Sequence, residues 1–271
     1  MLTSKFNLFG RIFYGVSIAG VGILQLLSGE FRRFISPIPA GESYGFIIYI
    51  VGIYFLISGL LITFDKKLRI TSVILAYVLI LFIVFSHIPW VFIHIPDSLE
   101  LGAFTNTLKL SAFAGGALLI ALGSRAENMP GNFMTGLSRL APFGKYFFCI
   151  MLFIFGIDHF IYRDFVSSLV PKWIPLPLFW TYFTGIALLG SAISIVTNIK
   201  VKLVAQLLAI MLFIWLLTIH LVLAIKYPNW NGGENITACF QCLAFTGIAL
   251  TIASQAEVPQ YEQKISERIP G

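Results

Sequence analysis

Residues 203–225 read LVAQLLAIMLFIWLLTIHLVLAI, a run with no Asp, Glu, Lys or Arg. Its apolar residues go round every face of a helix, so no amphipathic stripe marks a soluble surface. At 1.5 Å per residue the run reaches roughly 35 Å, enough to cross a hydrocarbon core of about 30 Å. Seven similar runs lie at about 9–28, 45–64, 70–92, 107–123, 145–162, 178–197 and 237–254. Of the 271 residues 58% are hydrophobic and 11% charged, and the mean hydropathy is +0.90. An average soluble domain has about 25% charged residues. The composition therefore excludes a soluble fold and predicts an all-α, polytopic membrane protein with eight transmembrane helices.

An internal repeat organises those spans. Residues 9–11, FGR, match residues 143–145, FGK, at an offset of 134, and Gly22 matches Gly156 and Pro37 matches Pro171. Gly52, Lys67 and His87 match Gly185, Lys200 and His220 at 133. Ala112, Phe113 and Gly115 match Ala244, Phe245 and Gly247 at 132. The reading is a first four-span unit at 1–123, a linker at 124–144, a second unit at 145–254 and a loose cytoplasmic tail at 255–271. An even number of spans per unit makes the two four-helix bundles parallel repeats about an axis along the membrane normal. Glycines within the spans, among them Gly15, Gly20, Gly59, Gly115, Gly190 and Gly247, are read as points of close helix approach.

The net charge of +6 and the pI near 9.3 do not point to nucleic acid, because the basic residues are scattered in short loops. Arg32, Arg33, Lys109, Arg163, Lys172 and Lys226 fall on one side of the eight spans, and the other twelve of the 18 fall opposite. The excess places both termini in the cytoplasm. The expected location is the bilayer of a bacterial inner membrane. Lys5 and Arg11 precede an apolar run too long for a cleaved signal, which reads as a retained span. Three cysteines exclude a disulfide framework.

In the second unit, GIDHF at 156–160 closes the fifth span, followed by VPKWIP at 170–175 and FWTYFTG at 179–185. This pattern resembles the DoxX-like family of four-span membrane proteins, over about 145–254. The first unit resembles it less, with Gln25 where the second has His159. The resemblance implies a membrane subunit of a quinone-linked thiol or sulfur oxidoreductase system, with quinone as the candidate cofactor and a membrane or periplasmic redox partner.

Asp158 and His159 lie about one turn before the outer end of the fifth span, where an ionisable pair is costly unless partnered. They are read either as a ligand or proton-relay site or as a helix-end anchor beside Tyr162. Arg163, four residues beyond His159, is within helical reach of it. His220 and its counterpart His87 serve either bundle structure or a relay, quinone or haem contact. Haem is disfavoured, since two facing histidines have no other support. No metal site is expected, because no four-ligand spacing occurs. Trp173, between two prolines, belongs to an interfacial hairpin or to a flap over a cavity. Asp158, His159, His220 and Trp173 are expected to converge at the outer end of the second unit. The matching place in the first unit should be degenerate, holding only His87 and Gln25.

Cys239 and Cys242 open the eighth span as a CxxC, a pattern that resembles the quinone-coupled enzymes of the vitamin K epoxide reductase type. They also begin a seam of small residues with Thr246, Ala249 and Ala253, and the first unit carries the seam Thr107, Leu110, Ala114, Ala117 and Ala121. They are thus either a catalytic thiol pair or packing residues. No Rossmann fingerprint, P-loop or GxSxG is present, so the competing function classes are a membrane oxidoreductase subunit and a non-enzymatic ligand-binding or scaffolding protein.

Overall fold

The computed structural model describes residues 5–38, 45–94, 104–124 and 131–256. The described residues are all-helical and include no strand. The helices are α1 (Lys5–Ser28), α2 (Gly45–Thr63), α3 (Leu68–Phe82), α4 (Ile88–His94), α5 (Thr105–Gly123) and α6 (Gly131–Ser138). They continue as α7 (Gly144–Ile161), α8 (Arg163–Ser168), α9 (Pro177–Thr197), α10 (Val201–Trp215), α11 (Leu221–Lys226) and α12 (Glu234–Gln255). Eight helical stretches are long and apolar enough to cross a membrane, which marks an integral membrane protein. The linker is not featureless, since α6 lies within it and the Tyr77 hydroxyl donates to the Leu137 carbonyl at 3.0 Å. The expectations for Arg125 and for residues 257–271 of the tail fall outside the described residues.

Helix pairs recur along the chain. α1 packs on α2 and α7 on α9; α3 packs on α5 and α10 on α12. Two further pairings join the halves, α1 with α12 and α5 with α7, and α5 also meets α12. Glycine makes these crossings close. A Cβ on Gly247 would lie 2.6 Å from the Gly10 carbonyl oxygen, and one on Gly144 would lie 2.5 Å from that of Gly115. Such approach gives dispersion contact in lipid, where burial from water supplies no driving force. Gly190 is different, for nothing stands within 4 Å of a Cβ built there. It faces outward from α9 and corrects the reading of every span glycine as a crossing point.

The turns after α2 and α9 are each tied to the first helix of their half. Arg11 on α1 donates to the Ile62 carbonyl at 3.0 Å and pairs with Asp65 at 3.4 Å. Lys145 on α7 donates to Asn198 Oδ1 at 2.8 Å. Asp65 and Asn198 both take the left-handed conformation, with φ of 60° and 58°. That conformation is easiest for Asn, Asp and Gly among common residues.

The third and seventh spans each pass through one π turn, Ile83–His87 and Leu216–His220, and each turn ends on its histidine. A π turn adds a residue to the helical repeat and re-aims the side chains that follow. Pro89 withdraws an amide from the first ladder. In the second, the Thr218 hydroxyl donates to the Ile214 carbonyl at 2.8 Å.

Candidate functional site

A cavity of about 560 Å³ opens among α5, α7, α9, α10 with its π turn, and α12. α8 contributes Phe165 and Val166 at its mouth. Its walls sort by depth. Lys109 lies four residues into α5, Thr181 four into α9 and Gln241 seven into α12, while Asp158 lies three before the end of α7. At 1.5 Å per residue these polar groups stand about 5 to 10 Å from the helix ends at the cavity's side of the bundle. Leu152, Leu188 and Phe245 line the cavity roughly 14 to 16 Å below the same ends. The space is therefore amphipathic, with a polar collar near these helix ends and an apolar floor deeper along the helices.

The collar contains polar atoms without protein partners. Asp158 Oδ1 and Gln241 Nε2 are buried and make no hydrogen bond, although Gln241 is only 3% exposed. Burying such groups unpaired costs on the order of 1 to 3 kcal/mol each. His159 Nδ1 lies 2.7 Å from the Phe155 carbonyl, which can only accept, so Nδ1 carries a hydrogen. The neutral ring then presents Nε2 as an acceptor. His220 lines the cavity within electrostatic range of Lys109, which in turn lies within range of Glu234. Among the described residues, no carboxylate lies within 4 Å of the Lys109 ammonium. Trp215 Nε1 donates to Thr184 Oγ1 at 3.2 Å, and Trp180 meets Trp215 edge to face at 5.8 Å.

Asp158, His159 and His220 thus share one cavity, but Trp173 does not join them. Trp173 is 63% exposed and is not among the residues lining the cavity. It sits in a turn closed by the Ile174 amide on the Pro171 carbonyl at 2.9 Å, which holds it on the outer surface. The indoles that line the cavity are Trp180, on one α9 face with Thr184 and Leu188, and Trp215 of α10.

Arg163 also departs from expectation. α7 ends at Ile161, and Tyr162, at φ −102° and ψ 32°, separates it from α8. The break removes the i, i+4 register that would have placed Arg163 beside His159. Its guanidinium instead donates to the Tyr182 hydroxyl at 3.3 Å, and that contact raises its pKa.

The structure does not bring the two thiols of the CxxC to a common opening. Cys242 lies in the cavity wall, but its Sγ donates to the Leu212 carbonyl of α10 at 3.2 Å. Cys239 bonds within its own helix to the Asn235 carbonyl at 3.5 Å and is not a lining residue. No disulfide joins them. Residues three apart on a helix point about 60° apart, which suffices to separate the two sulfurs. The member of this motif with an unpaired buried group beside the cavity is Gln241. Lys109 was legible only as a loop-side charge in the tally of basic residues, yet its place within an apolar span is itself a signal of function.

In the first half, aromatic and polar side chains pack together among the described residues. Phe34, wholly buried, meets Phe113 at 5.2 Å, and its carbonyl lies 3.0 Å from His87 Nε2. Phe113 and His87 precede Phe245 and His220, which line the cavity, by the offsets of 132 and 133 read in the sequence. The Ser36 and Ser86 hydroxyls pair at 2.7 Å, and Gln25 Nε2 donates to the Ile48 carbonyl at 2.8 Å.

A family described as a domain of unknown function (DUF8561) matches residues 148–249. That range holds α8 and α9, the π turn and most of α7 and α12, and omits Thr105 and Lys109. No curated protein and no solved structure matches the chain.

Proposed function

We propose that this integral membrane protein binds a small amphipathic molecule in the cavity that its second four-span unit forms together with α5 of the first. The observation that carries the reading is the pairing of two features in one cavity. Asp158 and Gln241 hold buried, unpartnered polar atoms in the collar, and a continuous apolar floor lies beneath them. A ligand with a polar head and an apolar body satisfies both parts at once. The separated cysteines lend a thiol-redox reading no support.

The same proposal includes the DoxX-like ancestry and the duplication. The two units are taken as parallel repeats, supported by the recurring pairs α1–α2 and α7–α9, α3–α5 and α10–α12, α1–α12 and α7–α5. Both termini are placed in the cytoplasm on the charge distribution, so a reporter fused after Gly271 should read cytoplasm. A reporter signal from the opposite side would reverse the orientation of the cavity.

Extracted in mild detergent and transferred to nanodiscs of defined lipid, the protein should carry a small molecule visible by native mass spectrometry. Ala238→Trp introduces an indole at the cavity wall and should lose that molecule while melting within a few degrees of the parent. A parent that carries nothing beyond the supplied lipid overturns the reading.

A further inference from the structure

We infer that the cavity selects a neutral head group of the carboxamide class, one that donates and accepts hydrogen bonds together. The inference rests on the ligand-binding reading above and deepens it. Gln241 is the first ground. Its Nε2 is buried and makes no hydrogen bond, and the residue is almost wholly enclosed beside the cavity. An amide offers one acceptor and two donors, whichever way its oxygen and nitrogen are assigned. Its complement is a group bearing a carbonyl and an N–H side by side.

Charge is the second ground. Lys109 and Asp158 line the same cavity with opposite charges. An anionic head would gain at Lys109 and be repelled at Asp158, and a cationic head would meet the reverse. In a low-dielectric site an added unit charge is costly unless matched, so a cavity already holding one charge of each sign favours a neutral guest. Asp158 Oδ1, a buried acceptor without a partner, then takes a second N–H of the head. His159 Nε2 adds a further acceptor, and Trp180, Trp215 and Phe245 supply apolar surface for the body. A primary carboxamide carries two N–H groups and one carbonyl, which matches this set.

Photoreactive diazirine probes sharing one octyl chain, with primary amide, carboxylic acid, amine or methyl ester heads, provide the test. Applied to the full chain in nanodiscs, the amide should label α7 and α12 peptides roughly three- to tenfold more than the ester, the range expected of one net hydrogen bond. Gln241→Leu should erase that margin while ester labelling stays the same. Asp158→Asn should raise labelling by the acid severalfold, because the anionic head is then no longer repelled from a cavity that Lys109 lines. Acid or amine probes that label the parent more strongly than the amide would overturn the inference and leave the binding reading standing. So would an amide margin that survives Gln241→Leu. Absence of labelling by every probe would remove the binding reading itself.

Discussion

Gly247→Val should abolish recovery of a folded, monodisperse protein. α1 and α12 cross at Gly10 and Gly247, where a Cβ on Gly247 would lie 2.6 Å from the Gly10 carbonyl oxygen and 2.9 Å from the Tyr14 amide nitrogen. Both are backbone atoms, so no rotamer change relieves the overlap and the helices must separate. Separation breaks more than the crossing. Tyr14 is wholly buried and its hydroxyl donates to the Phe113 carbonyl at 2.6 Å, tying α1 to α5. α12 also packs on α10 and α5, so its displacement distorts the cavity wall that carries Gln241. Overpacking a tight core typically costs about 1 to 3 kcal/mol, and a backbone clash at a central crossing should reach or exceed the top of that range. Gly190→Val is the matched control. With nothing within 4 Å of its Cβ, it should shift the melting temperature little, and valine is a slightly better helix former than glycine. Thermal unfolding followed by fluorescence-detected size exclusion would compare the two. Equal melting temperatures for both variants would show that the α1–α12 crossing is not as close as described.

Phe34→Ala should be nearly as damaging, and it should also open space beside Phe113. Removing a fully buried phenylalanine costs about 3 to 5 kcal/mol, from lost burial and from the void left behind. Phe34 packs on Phe113 of α5, and its carbonyl bonds to His87 at the end of the first π turn. Truncation should therefore loosen the outer ends of both the third and fourth spans. An apolar probe such as xenon should occupy the new void, at a place corresponding to the cavity of the second half. Phe165, its neighbour in role at the mouth of that cavity, is 62% exposed. Phe165→Ala should stay within about 0.5 kcal/mol of the parent, as exposed substitutions do. A Phe34→Ala protein as stable as the parent would mean that the segment after α1 is not the plug of the first half.

How these two positions differ could not be told from the chain alone. Phe34 and Phe165 both follow the first span of a unit, in segments that end on the matching prolines Pro37 and Pro171. One turns inward against Phe113 of α5, with its carbonyl at His87 of the first π turn; the other lies on α8 beside an opening. The outcome depends on Tyr162 breaking the helix after Ile161, a local event that no apolar period records.

The number, order and approximate ends of the eight apolar helices were legible because a bilayer demands long uninterrupted apolar runs, and residues 203–225 satisfy that demand without any partner. Asp158, His159 and His220 stood out as candidates for a related reason, since ionisable groups are rare in such runs. Facing was not legible. A helix apolar on every side carries no stripe to say which side meets protein, so Gly190 and Gly247 looked alike, as did Cys239 and Cys242. Only the packing of α5 and α12 against the other helices decided that Lys109 and Gln241 join Asp158 at one cavity and that Trp173 stays outside it. Direction within a membrane bundle is set by long-range contacts between surfaces that are chemically almost identical, and those contacts exist only in the folded chain.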